Sequence, residues 1–202
     1  RELISWPEAE FSIYWIISLY CFPIFSLFIS SDQTVGDRQR GTLRFLSLRS
    51  TRDEILVGRY LGQLLIISIL IIATVVATLA VMTFRDHTLI GSGVLLGLKI
   101  SVQLSIICMP FIALMAFINI IASSSRLSII IAILLFTLGT GLISYISSYI
   151  SIVNLLFYLF PGEQIADVAG QQDTNFFNWL LPVLQSLMWI TLAGLILRKR
   201  AL

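Results

Sequence analysis

Three places in this chain hold side chains whose types and spacing could do chemistry. The first is Gly36–Gly62, GDRQRGTLRFLSLRSTRDEILVGRYLG, with six arginines (Arg38, Arg40, Arg44, Arg49, Arg52, Arg59) and the acids Asp37, Asp53 and Glu54. A run of arginines alone would anchor a loop to anionic headgroups. Anchoring needs neither acids nor Gly41. Mixed charge beside a narrow apolar set, Leu43, Phe45 and Leu46, suits docking to another protein, and the residues leave both readings open. The second place is Asp86-His87, the one acid–base adjacency, which a membrane-embedded enzyme would need to complete with further groups in space. The third is Lys99, a cation inside an apolar run. Such a charge is either functional or close enough to a helix end to snorkel outward.

Other chemistry is poorly supplied. There is no G-x-x-x-x-G-K-[ST] phosphate loop, and Lys99 and Lys199 are the only lysines, so the chain is not expected to hydrolyse ATP alone. One histidine gives no metal-binding cluster. Cys21 and Cys108 lie in apolar runs and suggest no disulfide framework. No catalytic residue is assigned, and no cofactor is expected on this chain.

The elements around these residues follow from composition. The 202 residues are 57% hydrophobic and 12% charged, against about 25% charged in soluble domains. A net charge of +2 argues for no nucleic-acid partner. A span needs about 20 apolar residues, and the segments 11–30, 61–84, 94–122, 127–150 and 178–197 qualify. The expected fold is all-α, a polytopic transmembrane helical bundle with five spans visible. Arginine and lysine set orientation. Loop 31–60, the turn at Arg126 and the tail Arg198-Lys199-Arg200 should be cytoplasmic, with Arg85 a mild exception. The C-terminus is then inside and the start outside, which predicts a further span before Arg1 and six in all.

Segment 151–177 opens with SIVNLLFYLFP, too short to span, followed by PGEQIADVAG, a possible short helix. It is either an outer re-entrant segment or an amphipathic hairpin resting on the membrane. Gln103, Asn119 and Gln185 are polar residues inside spans, and SYISSYIS at 144–151 is a packing face or a path lining. No substrate path can be assigned from them.

Thr51-Arg52-Asp53-Glu54 fits the capping-box pattern, so a helix can begin near Arg52 and run into the second span. Upstream, Asp37–Leu48 reads as an amphipathic helix pivoted near Gly41. At these residues the sequence resembles the type-2 ABC export permeases, in the loop that joins their second and third helices. The matching positions are Asp37, Gly41-Thr42-Leu43, Phe45-Leu46, Arg52 and Gly58-Arg59. Asp37 stands where Glu is commoner, Arg49 near a usual proline, and Arg59 for a customary Lys.

The resemblance implies one transmembrane permease domain over residues 1–202, with a cytoplasmic coupling loop at 31–60. It implies that Asp37, Arg38, Arg40, Gly41, Thr42, Leu43, Arg44 and Leu46 couple the chain to cytoplasmic ABC ATPase subunits, which would bind the ATP and Mg. It further implies a second permease chain, identical or not, and a multi-pass location in lipid, in a bacterial-type cytoplasmic membrane. Export of a substrate would be driven by the partner subunits. An ion-coupled secondary transporter would be expected to carry acids within its spans, and none of the five segments has Asp or Glu.

Overall fold

The computed structural model describes residues 9–32, 50–162, 165, 168–169 and 176–199. Helix α1 is Ala9–Ser30, α2 is Arg52–Arg85 and α3 is Ile90–Ile121, with a 3₁₀ turn at His87–Leu89 before α3. The next span is made of three pieces: α4 (Ser125–Leu134), a π turn (Leu135–Gly139) and α5 (Thr140–Ser147). A 3₁₀ helix follows at Ser151–Leu159, and α6 is Phe176–Lys199. Five helical stretches are long and apolar enough to cross a membrane, and the described residues include no strand. The chain is an all-α, multi-span bundle.

Local chemistry sets the ends of α2. Thr51 accepts a hydrogen bond from the Glu54 amide at 3.3 Å, and the Glu54 carboxylate accepts one from the Thr51 amide at 2.8 Å. Both orphan donors are thereby satisfied, as a capping box requires. The helix starts at this cap rather than at the apolar run that begins with Leu61. Its 34 residues extend about 51 Å at 1.5 Å per residue, longer than a hydrocarbon core of about 30 Å. The charged first turns therefore project beyond the apolar part.

Helix α3 is the centre. From Gln103 to Ile120 most of its side chains are buried, on more than one face. It packs against α1, α2 and α6. Its approach to α2 is set by small residues four apart, Gly93, Gly97, Ser101 and Ser105, a spacing that lets helix backbones come close. A Cβ on Gly97 would lie 2.8 Å from Val75 Cγ1 and 3.4 Å from Phe11 Cζ. Further along the stripe, Ser68 Oγ donates to Ser105 Oγ at 3.2 Å.

The other spans bury one stripe and expose the rest. On α1, Ile13, Ile17, Ile24 and Phe28 are exposed; on α2, Leu65, Ile69, Ile72 and Val76. Continuous apolar surface of this extent is far larger than a soluble monomer tolerates, and it is the surface a lipid-facing helix needs.

The chain after α5 turns back into the bundle instead of lying across its end. Pro161 is buried, Gly162 has φ +116°, and Ile165 and Val168 join the core cluster that contains Phe111. The left-handed φ is open to glycine at little steric cost. Gln185, 3% exposed, lies nine residues inside α6, about 14 Å at 1.5 Å per residue. Its Nε2 donates to the Tyr158 and Phe160 carbonyls at 2.7 and 3.2 Å. The possible short helix from Pro161 lies largely outside the described residues.

Candidate functional site

The coupling residues expected from the sequence, Asp37, Arg38, Arg40, Gly41, Thr42, Leu43, Arg44 and Leu46, all lie outside the described residues. What the structure gives is the frame to which that segment is tied at both ends.

The segment departs from the last turn of α1. The Asn119 side chain, fully buried on α3, donates from Nδ2 to the Ser30 carbonyl at 2.7 Å. This satisfies one of the carbonyls a helix end leaves without an intrahelical partner. One residue on, Ser31 Oγ donates to the Phe28 carbonyl at 2.7 Å. Then Asp32 accepts from Ser125 Oγ at 2.7 Å, at the first residue of α4. A carboxylate beside a helix N-terminus is favoured by the helix dipole. The Ser124 side chain caps the same helix, accepting from the Leu127 amide at 3.2 Å. The start of the segment is thus fixed to α3 and α4.

It returns onto α2 and α6. Arg52 Nη1 donates to the Leu197 carbonyl at 3.0 Å. Arg198 pairs with Asp53, with Nε 3.1 Å from Oδ2 and Nη2 bonded to the same oxygen. The charges match the dipoles of two antiparallel helices: an acid in the first turn of α2, and cations at the last turn of α6. Beneath them Leu56, Ala116, Ile120 and Ala193 pack together. Gly194 lies beside Asp53, where a Cβ would make an ordinary contact of 3.7 Å with Oδ1.

Sequence reading foresaw the Thr51 cap and put Arg198 at the same end as the loop, as a topology signal. It named Asn119 as a polar residue in a span but not as a clasp for α1. It missed Asp32–Ser125 altogether. The available signal was the serine run at Ser123–Ser125 ahead of an apolar stretch, a helix-start pattern.

The opposite end holds further charged groups. Arg85, the exception to the loop-charge pattern, forms an ion pair with Glu10 at 2.8 Å. Asp86 is bonded within its own turn. Its Oδ1 accepts from the Thr88 amide at 2.9 Å and from Thr88 Oγ1 at 2.7 Å, capping the turn into α3. Those bonds from Thr88, with Arg85 and His87 nearby, hold its carboxyl below the usual aspartate range. Among the described residues no three His, Cys, Asp or Glu side chains gather to hold a metal. Lys99 is exposed on α3 beside Leu98.

One cavity of about 270 Å³ lies between α1, α3 and the α4–π-turn span. Ile24, Phe28, Phe111, Met115, Phe136 and Thr137 are in its wall. Thr137 Oγ1 is already bonded to the Ile133 carbonyl at 2.7 Å, so the wall offers apolar contact and no charge. Its chemistry suits hydrocarbon.

The family model described as "ABC-2 family transporter protein" matches residues 11–193. A search of curated proteins finds no match. The matched region takes in α2 to α5 whole, most of α1 and α6, and the Asn119–Ser30 and Asp32–Ser125 contacts, while Leu197 and Arg198 lie beyond it. The chain belongs to the ABC-2 transporter family, as a membrane-spanning permease.

Proposed function

We propose that this permease works in an ATP-driven exporter, with separate cytoplasmic ATPase subunits docking on Asp37–Leu48. The partner subunits bind ATP and Mg, and their closure moves the docked segment. The observation that carries the reading is the double attachment of that segment. One end is held by Asn119 and by the Asp32–Ser125 bond, on α3 and α4. The other is held through α2 and the Arg198–Asp53 and Arg52–Leu197 contacts, on α6. A displacement of the segment therefore loads four helices beyond α1, more than the two spans flanking it in sequence. Two permease chains, identical or different, enclose the path. The arginine-rich end and the C-terminus face the cytoplasm, in a bacterial-type inner membrane.

The test is ATP hydrolysis by the complex purified gently from its native membrane. Leu43→Asp and Leu46→Asp are expected to lower activity at least tenfold and to weaken co-purification of the ATPase subunit. Absence of any co-purifying ATPase, with no response to either substitution, would remove the docking claim and leave the arginines as topology signals.

A further inference from the structure

The cavity between α1, α3 and the α4–π-turn span has a floor and a mouth. Phe111, Met115 and Ala132 are buried at its floor. Ile24, Phe28 and Ile133, also in its wall, are exposed and mark the side that opens out of the bundle. Its volume is about 270 Å³. An apolar cavity of about 150 Å³ lined by Leu, Ile and Phe already takes up a small hydrocarbon. A groove without an occupant forfeits the dispersion contacts of its lining. Within the bilayer core the solvent at hand is acyl chain, not water.

The wall runs along one leaflet. Phe28 and Ile24 lie two and six residues before Ser30, the end of α1, about 3 and 9 Å at 1.5 Å per residue. Ile129 and Thr137 lie four and twelve residues after Ser125, the start of α4, about 6 and 18 Å on the same scale. Both helix ends stand at the arginine-rich end, where Asp32 meets Ser125. Half of a hydrocarbon core of about 30 Å is about 15 Å, so the wall matches the depth of that leaflet's chains.

Charge stands over the mouth. Arg126 is exposed, three residues before Ile129 and seven before Ile133, the spacing of one helix face. Helical side chains lean toward the helix N-terminus, which here is the interface side, so the guanidinium is carried toward the headgroups above the cavity. Its planar fork suits phosphate oxygens. Asp32, also exposed, is bonded to Ser125, the residue before Arg126. The rim therefore sets a cation and an anion close together above an apolar slot. We propose that this is a phospholipid site. One acyl chain lies between α1, α3 and α4, the phosphate meets Arg126, and the ammonium of an aminophospholipid headgroup meets Asp32. A purely anionic headgroup leaves Asp32 without a complementary charge. The site rests on the membrane-spanning bundle and not on the docking of ATPase subunits.

Photolabelling in lipid nanodiscs, on the full chain with whatever subunits it retains, tests it. The probe is a phosphatidylethanolamine with a diazirine in one acyl chain, and labelled residues are mapped by mass spectrometry. Labelling at Ile24, Phe28, Ile129 and Ile133 is expected to exceed that at the exposed residues Leu65 and Ile69 of α2 by about fivefold, the ratio a retained lipid gives over bulk lipid. Ala132→Phe should bring it down to the α2 level by filling the floor. Should that variant fail to fold, Ile133→Trp narrows the mouth and should act in the same direction. Arg126→Gln should lower labelling and Arg126→Lys should retain it. Asp32→Asn should remove the preference for phosphatidylethanolamine over a phosphatidylglycerol probe. Labelling spread evenly over the lipid-facing residues, or unchanged by both filling variants, overturns the site. So does protection of these residues by a second copy of the chain, seen as cross-links between copies at α1 and α4. Equal labelling by a diacylglycerol with the same chain overturns the headgroup contacts.

Discussion

Asp86 shows how a residue type can suggest one chemistry and be used for another. Beside His87 it looks like half of an acid–base pair, yet both bonds to its Oδ1 come from Thr88. Its carboxyl is held below the ordinary aspartate value of about 3.9, first by Thr88 and then by Arg85 and His87. The sign follows from linkage. A lowered folded value means the turn is stabilised fully above the ordinary carboxylate range, and that stability is lost as pH falls through the lowered value. The Thr88 amide is therefore expected to stay protected from exchange until the pH is below the ordinary aspartate range. In Thr88→Ala the loss should move to higher pH. An exchange profile for residues 86–90 against pH checks this, and identical profiles for the two proteins would contradict it. His87 and Asp86 could be picked out from the sequence, but the direction of the carboxylate could not, because it depends on the turn between two long helices.

At the scale of elements, the α2–α3 contact makes the sharpest claim. Gly93, Gly97, Ser101 and Ser105 form a spaced small-residue stripe, a pattern already present in the sequence. Its partner helix was not legible, since several apolar spans offer similar surfaces. Gly97 faces Val75 and Phe11 at distances that leave no room for a methyl group. Gly97→Ala is expected to lower stability by about 1–3 kcal/mol through overpacking. Gly62, in α2, has nothing within 4 Å of a built Cβ, and Gly62→Ala should raise stability by up to about 1 kcal/mol through helix propensity. Unfolding in mixed micelles on titration with SDS measures both. Equal shifts of the same sign would show that the stripe is not a close contact. The π turn illustrates the reverse case. Its residues, Leu135–Gly139, read as part of one continuous apolar span, and the structure interrupts that span where the Phe160 ring lies against Gly139.

Across the whole molecule, the arginine-rich end joins helices far apart in sequence. Arg198 and Asp53 are 145 positions apart, and their pairing ties the last span to the first turn of α2. Asp53→Arg alone, or Arg198→Asp alone, is expected to raise hydrogen exchange in the final turn of α6 severalfold. The double exchange, Asp53→Arg with Arg198→Asp, should recover only part of that protection. It restores the opposite pair but places each charge against the wrong helix dipole. Full recovery would mean the dipoles contribute nothing here, and no change in the single variants would mean the pair does not hold α6.

The sequence by itself determined the class of the molecule: five apolar spans, the cap at Thr51 and the resemblance in the arginine-rich loop. These are legible because each depends on residues within one turn or one span, where length, apolarity and hydrogen-bonding groups act locally. The tertiary structure decided which span is central, that Asn119 and Gln185 serve as clasps for backbone carbonyls, and that Ile165 and Val168 join the core. Those outcomes depend on which apolar faces meet. Lipid-facing and helix-facing surfaces are built from the same side chains, so hydropathy cannot tell them apart. Close packing at small residues and the need to satisfy each buried carbonyl made the choice.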